Sequence, residues 1–180
     1  MSRILLCSTP RVGSVSYAEK LRSLLQLPLA FQPWEPYAFD KQPLHVKNET
    51  RRYVDSTNVL IHSHIHACLD KFDTVDMTIY IGRKNRIQQA WSFFVAYYFN
   101  KMQNIDIKNI IIPMPKDELV TTFIRWINLW DQKSLNKHKV FYEDLDLNNS
   151  KWFQSKYENI TIENFEFIKN RIQNECESLL

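Results

Sequence analysis

The side chains of this sequence that could do chemistry gather in a few short segments. Thr9-Pro-Arg-Val-Gly-Ser-Val-Ser16 places an arginine, a glycine and hydroxyl groups between a short apolar run and a helical pattern. A tight strand-to-helix turn of this kind exposes backbone N–H groups at a helix N-terminus, where they and the helix dipole favour a phosphate or similar anion. Gly13 would let the backbone approach the anion or take a positive φ. Arg11 would supply charge, and Ser14 and Ser16 would donate or cap. An ordinary N-cap turn that happens to carry an arginine has the same composition.

The only other glycine, Gly82, closes the apolar run MTIYIG and is followed by Arg83-Lys-Asn-Arg86, with Ser92 about two helical turns further on. Two basic strand ends suggest two phosphate groups, although a solvated basic turn is common. With glycine confined to positions 13 and 82, the G-x-x-x-x-G-K-[ST] spacing cannot be met, which disfavours an ATPase or GTPase. The strand-like NVLIHSHIH offers a different chemistry, since His62, His64 and His66 at alternate positions would share one face, as in an H-x-H zinc site. No acidic or cysteine motif is positioned to complete that site, so no metal is expected.

The elements that must position these groups alternate between strand and helix patterns. Strands are predicted at Ile4–Ser8, Asn58–Ile65, Met77–Gly82 and Lys139–Tyr142, where apolar and β-branched residues run together. Helices are predicted at Ser14–Gln26, Glu49–Asp55, Arg86–Met102, Asp117–Asn136 and Thr161–Leu180. The region from Leu27 to Pro43, with Pro28, Pro33, Pro36 and Pro43, reads as an irregular loop. Lys108–Met114 is either a short strand or a buried connection. Strands separated by crossover helices imply an α/β domain with a central parallel sheet covered on both faces, whose ligands bind beyond the carboxyl ends of the strands.

Composition sets the limits. With 180 residues, 44% of them apolar, the chain is long enough for one core and reads as a single domain over 1–180. A net charge of +3 is too small to argue for nucleic acid. Cys7, Cys68 and Cys176 are odd in number and widely spaced, which fits reduced thiols and a cytoplasmic setting rather than a disulfide framework. The apolar run at the N-terminus is too short for a signal peptide, and no stretch approaches a membrane span. Trp91, Phe93, Phe94, Tyr97, Tyr98 and Phe99 are dense enough to be mostly core, with Trp91 or Phe94 available to line an adenine or acceptor pocket. Trp126 and Trp130 at i, i+4 read as packing residues.

TPRVGSVSYAEKL resembles the TPRSGST or YPKSGT loop that binds the 5′-phosphosulfate in sulfotransferases using 3′-phosphoadenosine 5′-phosphosulfate (PAPS). IYIGRKNRIQQAWSFF resembles their 3′-phosphate segment, in the R-R-D-R-x-x-Q-A-x-S form of the bacterial trehalose sulfotransferases, and VFYEDL is similar to the Y-E-D-L that ends a late core strand. The segments occur in the family's order. The resemblance implies a three-layer α/β/α fold of the P-loop nucleotide-binding type and PAPS as co-substrate. It further implies sulfuryl transfer to the hydroxyl of a small-molecule or carbohydrate acceptor. Arg11, Val12, Gly13, Ser14, Val15 and Ser16 would surround the 5′ end of the cofactor. Arg83 and Ser92 would hold the 3′-phosphate, with Lys84 able to take the arginine's part.

Sulfuryl transfer needs a base at the acceptor hydroxyl and positive groups around the sulfonate. Two residues fit the family's positions for a base. Glu35 resembles the glutamate of the trehalose enzymes' P-x-E-Y-F loop; set between Trp34 and Tyr37, partial desolvation would raise its pKa. His64 falls on the catalytic histidine of the K-x-H strand in cytosolic sulfotransferases, which leaves His62 in place of the lysine. Glu35 is slightly preferred. His62 would need to be protonated to replace the lysine's charge. Tyr142 and Glu143 read as braces of the sheet end. The chain departs from the family in its shortness, in lacking the G-x-x-G-x-W-K clamp and in carrying Val15 where a hydroxyl is usual. These departures keep open a second expectation, a non-catalytic module that retains PAPS or anion binding.

Overall fold

The structure, a computed structural model, describes residues 2–101, 111–145 and 160–176. Strands β1 (Arg3–Ser8), β2 (Leu29–Phe31), β3 (Val59–His64), β4 (Met77–Gly82) and β6 (Lys139–Phe141) form one sheet in the order β2-β3-β1-β4-β6. Every neighbouring pair in it is parallel. A two-stranded parallel sheet of β5 (Ile111–Ile112) and β7 (Thr161–Ile162) lies apart from it. The helices are α1 (Ser14–Leu25), α2 (Pro36–Asp40), α3 (Leu44–Tyr53), α4 (Arg86–Lys101), α5 (Asp117–Ser134) and α6 (Phe165–Glu175). The expected α/β architecture with a central parallel sheet flanked by helices is what the chain adopts.

Burial on both faces explains why β1 is an unbroken apolar run rather than an alternating one. Ile4 and Leu6 face Val12, Ala18, Leu29 and Leu60 beneath α1. Leu5 and Cys7 face the opposite way, toward Ile61, Tyr80 and Trp130 of α5. A further cluster joins Phe94 and Val95 of α4, Phe123 and Ile127 of α5, Ile112 and Ile162 of the small sheet, and Ile168 and Ile172 of α6. The thiols of Cys7 and Cys68 touch at 3.7 Å in the core, and the three cysteines are free.

Several boundaries differ from the sequence expectation. The proline-rich segment is not all loop: Leu29–Phe31 pairs with Leu60–His62 of β3 as an edge strand. Pro28 and Pro33 flank those residues, and an edge position tolerates them because it needs few ladder donors. Pro36 opens α2 at a position where its missing N–H costs nothing. Helix α3 begins at Leu44, five residues before the predicted start at Glu49, because Pro43 and not an apolar repeat marks its beginning. Thr161–Ile162 is strand rather than helix; it pairs with Ile111–Ile112, and Asn164 at φ 51° turns the chain before α6. Residues 102, 108–110 and 177–180 of the predicted elements lie outside the described residues.

Gly82 is explained by packing rather than by an anion: a β-carbon there would stand 2.5 Å from the ring of Trp130. Gly13 is needed twice over. Its φ of 69° lies in the left-handed region, and a β-carbon would lie 2.4 Å from the ring of Tyr142.

Candidate anion and base site

The loop from Thr9 to Gly13 crosses the carboxyl end of the central sheet and opens directly into α1. Gly13 is the N-cap residue, so no side chain caps α1, and its first turn holds no acidic residue. The first N–H groups of a helix have no partner inside it, and here the sequence supplies none from a capping side chain. Arg11 also has a positive φ, 66°, although it carries a β-carbon. Backbone strain of that kind costs of order 1–3 kcal/mol and collects at functional sites.

Helix α4 brings the second basic segment to the same place. Arg11 Nε donates to Ser92 Oγ at 3.2 Å, and Arg83 Nη1 reaches the Arg11 carbonyl at 3.5 Å. Gln89, fully buried, donates from Nε2 to Thr9 Oγ1 at 2.7 Å and to the Pro10 carbonyl at 2.8 Å. Arg11, Arg83 and Ser92 are therefore neighbours. Ser92, however, is buried, and its hydroxyl oxygen accepts from Arg11. Lys84 points away from this group, pairing with Asp144 at 2.5 Å.

The remaining loop residues divide by burial. Val12 is fully buried in the core beneath α1, so its contribution to an anion site is its backbone. Val15 is half exposed and Ser16 exposed. The Ser14 hydroxyl turns inward and lies 2.8 Å from His62 Nε2, with Ser8 Oγ 3.5 Å from the same nitrogen.

The rival bases prove to be partners. His64 Nδ1 lies 2.7 Å from Glu35 Oε2, while Glu35 Oε1 accepts the His64 backbone N–H at 2.8 Å and the Ser63 hydroxyl at 3.0 Å. Gln32 Nε2 stands 3.3 Å from the same imidazole nitrogen. Burial of Glu35 pushes its pKa up, as the sequence suggested. The hydrogen bonds and charge of His64 outweigh that and bring it down to about 2. The expectation of a raised pKa at Glu35 is thus overturned. Its wrapping by Trp34 and Tyr37 is also only partial, because Tyr37 is exposed. His64 is the register partner of Ser8, placing the dyad one strand away from the start of the anion loop.

His62 is fully buried, and burial first, with the charge of His64 second, lowers its pKa to about 3. It is neutral at physiological pH and cannot supply the lysine's charge. His66 lies beyond the end of β3, in a short helical turn, and its ring is stacked between His64, with centroids 5.8 Å apart, and Trp126, with centroids 4.4 Å apart. Among the described residues no group of three or more His, Cys, Asp or Glu side chains is arranged to hold a metal. Phe94 is buried in the core, and Trp91 packs against the same cluster.

The buried histidine and carboxylate have a measurable consequence. Both fold into environments that favour the deprotonated form, so unfolding takes up protons. Their contribution to stability is expected to be complete above about pH 6.5, to fall as pH drops from there toward 3 through His62, and to fall further below about 4.5 through Glu35. Chemical unfolding is expected to show little loss from this source between pH 7.5 and 6.5, and a slope approaching about 1.4 kcal/mol per pH unit from the His62 proton between 6.5 and 4.5. His62→Gln, which does not titrate, should make that limb shallower. A profile independent of pH would show that His62 is not held neutral.

Gln89, Gln32, Ser63 and Glu143 were not identified from the sequence as site residues. Gln89 had a signal, since it is the glutamine of the Q-A-x-S pattern; Gln32 and Ser63 had none. Comparison of the chain with protein-family models, and with curated proteins, gives no match.

Proposed function

We propose that this protein is a sulfotransferase that moves the sulfuryl group of PAPS to an acceptor hydroxyl, a carbohydrate being the acceptor class to test first. The observation that carries this reading is the uncapped N-terminus of α1, joined through Arg11 and Ser92 to a second basic strand end. A ligand with two anionic ends matches that arrangement. ATP-type chemistry has no matching glycine loop.

The proposed chemistry needs no metal. The acceptor oxygen attacks sulfur in line, its proton passes to His64 Nε2, and the bond from sulfur to the bridging phosphate oxygen breaks. Glu35, by accepting from Nδ1–H, leaves Nε2 as the acceptor nitrogen of the neutral ring, so the carboxylate is the orienting partner and His64 the base. Charge on the departing bridging oxygen is offset by Arg11 and the amides at the start of α1.

One observation favours the alternative, a non-catalytic module that binds PAPS or a similar anion. His62 is neutral where the resemblance expects a fixed positive charge, which removes stabilisation from the leaving oxygen. Calorimetric titration with 3′-phosphoadenosine 5′-phosphate, run beside ATP, tests what both readings share. Micromolar binding of the bisphosphate with weak ATP binding is expected, followed by turnover in an acceptor screen with PAPS. Binding of neither nucleotide would overturn both readings; bisphosphate binding without turnover on any acceptor would leave the module.

A further inference from the structure

The turn after β6 meets the start of α4 through Glu143, a residue with no role in the chemistry above. Glu143 Oε2 accepts the Lys84 backbone N–H at 2.9 Å, and Oε1 accepts that of Asn85 at 3.0 Å. These amides lie at the N-terminus of α4, where the helix dipole favours a carboxylate. Asn85 Oδ1 accepts the Gln88 N–H, so this N-terminus is filled by the chain's own groups, in contrast to that of α1.

The same carboxylate stands 3.6 Å from Arg83 Nε. The ring of Tyr142 lies 4.9 Å below the Arg83 guanidinium, and Nη1 points to the Arg11 carbonyl. A long side chain with about 2 kcal/mol of rotamer entropy is thereby flanked on three sides before any ligand arrives, its Nε facing the carboxylate as an ion pair without a hydrogen bond. Its guanidinium is mostly buried, with 12% of the side chain exposed, so a released Arg83 would have a different and more hydrated set of positions available.

We propose that Glu143 is a positioning residue that sets selectivity for a ligand's 3′-phosphate by holding Arg83 in place; this rests on the sulfotransferase reading. Glu143 touches no reacting atom. It acts through the guanidinium and the turn at Lys84 and Asn85, and it offers a ligand phosphate nothing of its own but repulsion.

The test compares the affinities of 3′-phosphoadenosine 5′-phosphate and adenosine 5′-phosphate, whose ratio isolates the 3′-phosphate. Glu143→Ala is expected to weaken the bisphosphate about tenfold, the scale of one charge-assisted contact, and to leave the monophosphate within about twofold. Arg83→Ala should give the same loss, and the double variant no further loss, because both changes remove one interaction. Should Glu143→Ala fail to fold, Glu143→Gln keeps a backbone acceptor and must still lower the ratio. Equal weakening of both nucleotides, or an unmoved ratio, would overturn the proposal alone. A wild-type protein with no preference for the bisphosphate would instead overturn the reading on which it rests.

Discussion

Replacing Arg11 with alanine is expected to lower affinity for 3′-phosphoadenosine 5′-phosphate by about 10- to 100-fold, the range of a hydrogen bond to a charged group. The backbone makes this position informative. Arg11 sits at φ 66°, where a β-carbon is strained and glycine is not. Arg11→Gly relieves that strain, whereas Arg11→Ala keeps it. The glycine variant should therefore melt above the alanine variant, by about 2–4 °C for each kcal/mol of relief in a chain of this size. Both variants should lose the nucleotide to a similar extent. Lost binding in the more stable variant would separate a functional arginine from a structural one. Unchanged affinity in either would remove Arg11 from the anion site.

The dyad carries the second large effect. With any acceptor that turns over, His64→Ala and Glu35→Gln should each lower kcat by about 10²–10⁴, because one removes the base and the other its orienting acceptor. Combining them should cost little more than His64→Ala alone, since residues acting as a unit are not additive. Bisphosphate affinity should change little, because the role proposed for both side chains is proton transfer at the acceptor rather than binding of the nucleotide phosphates. Full turnover in Glu35→Gln would show that the carboxylate does not set the imidazole tautomer. Full turnover in His64→Ala would transfer the base to another group or exclude this chemistry.

The extent to which each of these sites was legible differs for physical reasons. The loop from Thr9 to Gly13 was legible because it is local: strand, turn and helix N-terminus are consecutive in the chain. Glycine at 13 was read as a backbone requirement, and φ 69° agrees. Gly82 was read by the same logic and serves a different purpose, since its neighbour Trp130 comes from a helix far along the chain. Glu35 and His64 looked like competitors because each has the right chemistry alone. Their 2.7 Å contact depends on the edge strand Leu29–Phe31 pairing with β3, and its prolines concealed that strand.

The histidine strand shows the same division. Alternation in HSHIH correctly put His62 and His64 on one face, but periodicity says nothing about where a strand stops. The strand ends at His64, and His66 beyond it stacks on both His64 and Trp126.

What the sequence by itself determined is the set of regular elements with strong apolar patterns, the parallel α/β arrangement they require, and the two basic strand ends. Those follow from local periodicity and from the crossover rule, which need only neighbouring residues. Only the tertiary structure decided the protonation and pairing of the buried polar groups. Whether His62 is neutral, whether Glu35 is ionised and what Glu143 holds depend on burial and on partners between 28 and 60 residues away, where solvent exclusion rather than residue type sets the energy.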